Sequence, residues 1–163
     1  MRSFQELSKF SSSILFAEPI DYHLIIEFEK KHVLSLPEDF KYFCSEVNGF
    51  DLMGTEVYGF LPDSLTSMSI EKLYHREHKL IKFPQPEYLV PFSPDGSGDF
   101  YCFDTRSHNG GSCPVVFWYS NYNYTDEDVP EKANDSFVEW MQEVVIDWTL
   151  EDYDYDGNDR VNQ

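Results

Sequence analysis

Apolar positions along the chain change period four times, and the changes divide it into helices and strands. Phe4, Leu7, Phe10 and Ile14 recur at helical spacing, and Ser3 with Glu6 has the form of a capping box, so a short N-terminal helix is predicted. Asp21 is placed to cap a second helix with Ile25, Phe28 and Val33 turned inward and Glu27, Glu29, Lys30 and Lys31 outward. Pro37 suits the first turn of a third helix, where its missing N–H would have no partner anyway. Phe40, Phe43, Cys44 and Val47 form that helix's stripe, and Gly49 is placed to end it in the left-handed conformation. A strand is predicted over Glu56–Phe60, a polar loop over Ser64–Ser69 and a shorter helix over Ile70–Leu80.

The period then shortens to two. Leu89–Phe92, Phe100–Asp104 and Val115–Tyr119 are rich in β-branched and aromatic residues and are separated by turn chemistry, Pro94–Gly98 and Ser107–Ser112. In the middle run Phe100, Cys102 and Asp104 point one way and Tyr101 and Phe103 the other, so both faces of the predicted antiparallel sheet carry aromatics. Ser120–Asn134 reads as a loop, and Ser136 and Glu139 open a last helix with Phe137, Trp140, Met141, Val144, Val145 and Trp148 on its buried side. The fold class is α+β: one domain over 1–150, with helices at both ends packed on a central, largely antiparallel sheet. Residues 151–163, polar and acidic with no core to join, are expected to form a flexible tail.

Motif order adds a resemblance. Leu36-Pro37-Glu38-Asp39-Phe40, Asn48-Gly49 and Val57-Tyr58-Gly59-Phe60 precede Gly98-Asp99-Phe100-Tyr101-Cys102-Phe103-Asp104 and Pro114-Val115-Val116-Phe117-Trp118. This succession, from about Asp21 to Trp148, resembles the SUKH superfamily, which includes fungal cell-wall-assembly regulators and bacterial immunity proteins that neutralise polymorphic toxins. The resemblance implies a non-catalytic binding module in the cytoplasm whose partner is a cognate protein toxin. The fungal type implies a scaffold or regulator instead. Its members carry long arms outside the core, and the little sequence outside the core here favours the immunity type. Leu36, Pro37, Asn48, Gly49, Gly59 and Gly98 read as structural.

Charge sharpens the partner. The formal net charge is −18, and after Tyr119 thirteen acidic residues face only Lys132 and Arg160, a balance of −11. Such a field repels nucleic acid and anionic membrane and attracts basic proteins, a nuclease toxin among them. Partner-facing residues are therefore expected in loops: Asp95, Asp99, Asp126, Glu127 and Asp128, with Tyr122 and Tyr124 as aromatic anchors.

Other chemistry finds little support. Three cysteines without metal spacing, two of them on apolar-periodic positions, suggest buried thiols in a reducing compartment. No run is long and apolar enough for a membrane span, and residues 1–17 lack the continuous apolar region of a signal peptide. Asp152, Asp154, Asp156 and Gly157 open like an EF-hand loop, the basis for a cation-dependent module as a third reading. However, Gln163 stands at the twelfth position where a bidentate glutamate is needed. His75 and His78, three apart on a helix with Glu71, lack a third ligand and are expected to be exposed. No serine sits in a nucleophile elbow and no cysteine has a histidine–asparagine context, so no catalytic residue, cofactor or metal is assigned.

Overall fold

The computed structural model describes residues 2–10, 14–62 and 69–160. Most of the loop expected at Ser64–Ser69 lies outside them, as does Gln163. The elements in order are α1 (Arg2–Leu7), β1 (Ile14–Phe16), α2 (His23–His32), α3 (Glu38–Glu46), β2 (Phe50–Leu52), β3 (Thr55–Val57), α4 (Ile70–Lys79), β4 (Leu89–Pro94), β5 (Phe100–Asp104), β6 (Val115–Trp118) and β7 (Glu131–Asn134). A final helix follows in three parts: α5 (Phe137–Trp140), a π-helical stretch (Met141–Asp147) and α6 (Trp148–Asp152).

All strand pairings are antiparallel, in sheets of order β1-β2-β3 and β4-β5-β6-β7. The two sheets adjoin where the Tyr58 N–H donates to the Phe92 carbonyl at 2.8 Å and the Ser93 hydroxyl donates to the Glu56 carbonyl at 2.6 Å. The alternation predicted for β5 sorts its residues between two layers. Phe103 stacks on Phe92 with ring centroids 4.2 Å apart, and Phe40 of α3 and Phe137 of α5 close on them at 4.8 and 5.9 Å. Trp140 meets Phe92 edge-on at 4.8 Å. On the opposite face Phe100 and Cys102 join Leu89, Val116, Trp118 and Leu73 of α4. Both Trp118 and Trp140 are buried, as their apolar runs imply, but in different layers. All three cysteines are buried free thiols.

Where the structure departs from the sequence reading, local causes are visible. The first helix ends at Leu7, Ser3 lies within its first turn, and Ile14 pairs with Leu52 in β1. Val33, expected inward, is 90% exposed because α2 stops at His32 and Val33 becomes its left-handed cap, with its N–H bonded to the Glu29 carbonyl. After α3 it is Asn48 (φ 53°), one residue before Gly49, that takes the left-handed helical conformation. β3 ends at Val57, short of Phe60. β7 lies inside the segment read as loop. Wide π turns add a residue per turn and rotate the apolar stripe, so Trp148 emerges half exposed although Met141, Val144 and Val145 are buried. Nor is the stretch after residue 150 without a core to join. The Tyr155 ring lies 4.9 Å from that of Phe10, and its hydroxyl donates to Glu6 Oε1 at 2.6 Å.

His78, expected to be exposed, is buried against Tyr74, with Nδ1 2.6 Å from the Tyr74 carbonyl oxygen and Nε2 3.0 Å from that of Pro86. Burial holds its pKa below the usual 6.5, the two carbonyls recovering part of the cost. His32, packed on Tyr74 at 4.3 Å, is lowered in the same direction, again by burial. A histidine whose folded pKa is depressed stabilises the fold above its unfolded pKa and withdraws that contribution as pH falls through the folded value. Unfolding free energy should therefore decline as pH drops below about 6.5, ahead of the carboxylate range. Urea titrations at half-unit intervals from pH 7.5 to about 4.5 check this. A flat profile down to about pH 5 would contradict it.

Candidate partner-binding surface

One end of the four-stranded sheet carries the turn between β4 and β5 and the long connection from β6 to β7. The first is an Asx turn: Asp95 Oδ1 accepts from the N–H groups of Ser97 and Asp99 at 2.9 and 3.0 Å, and Ser97 Oγ donates to Oδ2. Slight burial opposes the charge, but these bonds outweigh it and hold the carboxyl below the usual range. Asp99 reaches across to the second segment, where its Oδ1 accepts from the Ser120 N–H at 2.7 Å and the Ser120 hydroxyl at 2.9 Å.

The second segment is fixed at three further points. Tyr124 lies flat on Trp118 at 4.0 Å, and its hydroxyl accepts from the Tyr119 N–H at 3.2 Å. Tyr122 meets the Tyr124 ring edge-on at 4.7 Å, and its hydroxyl donates to Asp128 Oδ1 at 3.3 Å. Asp128 Oδ2 accepts from the Thr125 N–H at 2.6 Å and the Thr125 hydroxyl at 2.8 Å, and these bonds lower the carboxyl's pKa. Asp126 and Glu127 stand exposed at the tip.

The fold thus gathers all seven sequence-predicted residues at one end of the sheet, but in different situations. Asp95, Asp99 and Asp128 hold the loops' own backbone. Tyr124 is half-buried as a lid over Trp118, whereas Tyr122, Asp126 and Glu127 face solvent. On the opposite face of the sheet from Trp118 and Tyr124 is a hollow that the sequence reading did not assemble, lined by Tyr101, Phe117, Tyr119, Glu131 and Ala133. Recognising it requires β7 as a strand, because register places Glu131 opposite Phe117 and Phe117 opposite Tyr101.

Metal chemistry gains nothing from the geometry. Asp154 Oδ1 accepts from the N–H groups of Asp156 and Asn158, each at 2.9 Å, so the EF-hand-like opening folds as an Asx turn. His78 is committed to carbonyls, and among the described residues no group of three or more His, Cys, Asp or Glu side chains could hold a metal ion. No helix there is long and apolar enough to cross a membrane.

The model of the SMI1/KNR4 family (SUKH-1) matches residues 19–143, which span α2 through the sheet to the π-helical stretch. The chain belongs to the SMI1/KNR4 family (SUKH-1). A crystal structure of a protein from Pseudomonas syringae pv. tomato shares the fold with a TM-score of 0.62, at 16% identity, over 86% of this chain and 96% of that one. Within the SMI1/KNR4 match the motif residues do structural work. Asn48 Nδ2 donates to the carbonyls of Phe60 (2.7 Å) and Glu18 (3.1 Å), and Asn48 Oδ1 accepts from the Phe60 N–H at 2.8 Å. This clasp sits against Gly59, where a Cβ would lie 2.1 Å from the Asn48 carbonyl oxygen. The acidic loop, by contrast, belongs to the surface, where family members of one fold are free to differ.

Proposed function

We propose that this protein is a non-catalytic immunity protein that binds and neutralises a basic cognate toxin in the cytoplasm. Family membership supports a protein-binding role of the immunity or regulator kind. The observation that carries the finer reading is the exposed pair Asp126–Glu127, presented by a loop tied down at Asp99, Trp118 and Thr125. Acidic groups held over a nuclease active site would stand where its substrate's phosphates lie, and the −18 charge would steer the encounter. Asp95, Asp99, Tyr122, Tyr124 and Asp128 complete the proposed surface, the three aspartates by shaping it.

Charges acting in the encounter affect association more than dissociation. The test is stopped-flow association with the product of the adjacent gene at several salt concentrations. Asp126→Asn with Glu127→Gln should lower the on-rate about two- to tenfold at low salt and flatten its salt dependence, with the unfolding midpoint unchanged. Asp128 is left intact because its carboxylate builds the loop. An unchanged on-rate and salt slope would remove the tip from the interface. No binding to any adjacent gene product would favour a regulator of the fungal type.

A further inference from the structure

Tyr101, Phe117 and Glu131 form a row across β5, β6 and β7, and Tyr119, two residues beyond Phe117, shares their face. Their rings meet edge to face, Tyr101 on Phe117 at 5.0 Å and Phe117 on Tyr119 at 4.9 Å. The Tyr119 hydroxyl donates to Glu131 Oε2 at 3.1 Å, which ties the carboxylate to the rim. The pairing of β6 with β7 slips between Val115 and Val116, leaving Ala133 as an extra residue on β7 whose side chain is too short to fill the space. The result is a hollow of about 260 Å³, sized for one side chain.

Its chemistry selects a cation. Aromatic faces carry negative electrostatic potential, and a carboxylate at the mouth adds a full charge. Asp95 and Glu143 bear on the same place: burial first, and then these two carboxylates, push the Tyr101 hydroxyl's pKa up. An apolar occupant would cover the Glu131 charge with only the neutral Tyr119 hydroxyl to meet it, and an anion would be repelled. Among protein cations a guanidinium is favoured, because its plane stacks on a ring while its fork of donors reaches a carboxylate.

We infer that the hollow between Tyr101, Phe117, Tyr119 and Glu131 receives an arginine side chain of the protein partner. This rests on the reading of the acidic end as the partner-binding surface and places its anchor where β6 enters the loop, on the face of the sheet opposite Trp118 and Tyr124.

The test uses the full chain and the capped peptide acetyl-Gly-Arg-Gly-amide, followed by NMR of the aromatic side chains. Its citrulline counterpart, neutral and nearly isosteric, and its lysine counterpart serve as comparisons. The arginine peptide should produce saturable shifts centred on Tyr101, Phe117 and Tyr119, the citrulline peptide none, and the lysine peptide weaker ones. Glu131→Gln or Tyr119→Ala should weaken arginine binding about three- to fivefold, with the remaining spectrum unchanged. Shifts scattered over the acidic face, equal responses to arginine and citrulline, or lysine binding as tight as arginine would overturn the proposal. With the toxin itself, an off-rate unaffected by Glu131→Gln would overturn the arginine anchor and leave the immunity reading standing. Failure of the unaltered chain to bind the toxin would overturn the immunity reading, while the peptide titration still decides the hollow.

Discussion

Asn48→Ala is expected to cost about 3–8 kcal/mol, although the residue itself is buried. Two contributions add. The Phe60 N–H and C=O lose their buried partner, at about 1–3 kcal/mol for each group left unsatisfied. Alanine must also hold φ near 53°, a left-handed conformation that costs an ordinary L-residue about 1–2 kcal/mol. Asn48→Gly separates the two, since glycine adopts that backbone freely and forfeits only the hydrogen bonds. The denaturant midpoints of the two variants should therefore differ, glycine the milder. Gly59→Ala probes the same clasp from the other side, because backbone rather than a movable side chain stands 2.1 Å from the added carbon. A loss under about 1 kcal/mol for Asn48→Ala would show that the clasp is incidental.

The second large effect is expected at Trp118. Truncation to alanine should cost about 3–5 kcal/mol, as for other large aromatics in cores. It should also act on the surface, because Trp118 is the floor on which Tyr124 lies. The variant should lose protection from hydrogen exchange at the Tyr119 N–H, whose acceptor is the Tyr124 hydroxyl, beyond the uniform loss that lower stability brings. Trp118→Phe keeps a ring there and gives up an indole N–H that has no partner in the described structure, so it should be much milder. A Trp118→Ala midpoint near that of the unaltered chain would contradict the layer assignment. A uniform exchange profile would uncouple floor from loop.

These two positions show what was legible in the chain. The stripe of α3 and the alternation of β5 are apolar patterns with one physical solution. Phe40, Phe43 and Cys44 are buried and Phe103 is sorted from Phe100 and Cys102 as read, although Val47 is only partly buried and Lys41 is buried off the stripe. The loop carboxylates could likewise be placed on the surface, since charge without a partner in sequence goes to solvent. What could not be read depends on a neighbour. Glu131–Asn134 has one buried residue in four and pairs on one side only, so nothing in its composition announces a strand. Without that strand the row Tyr101–Phe117–Glu131 is three unrelated residues. Trp148 fails for another reason: the periodicity is real, but the π turns change the period partway along the helix.

The ties at both ends of the acidic loop bear on how it would meet another molecule. Asp99 with Ser120, Tyr124 with Trp118 and Asp128 with Thr125 already hold the backbone around the tip. Much of the conformational entropy that a loose loop would surrender on docking is thus given up during folding, and a partner meets a shape already formed. Association through this end should behave as the joining of two rigid bodies, with a heat-capacity change set by the apolar area covered and no added signature of loop ordering.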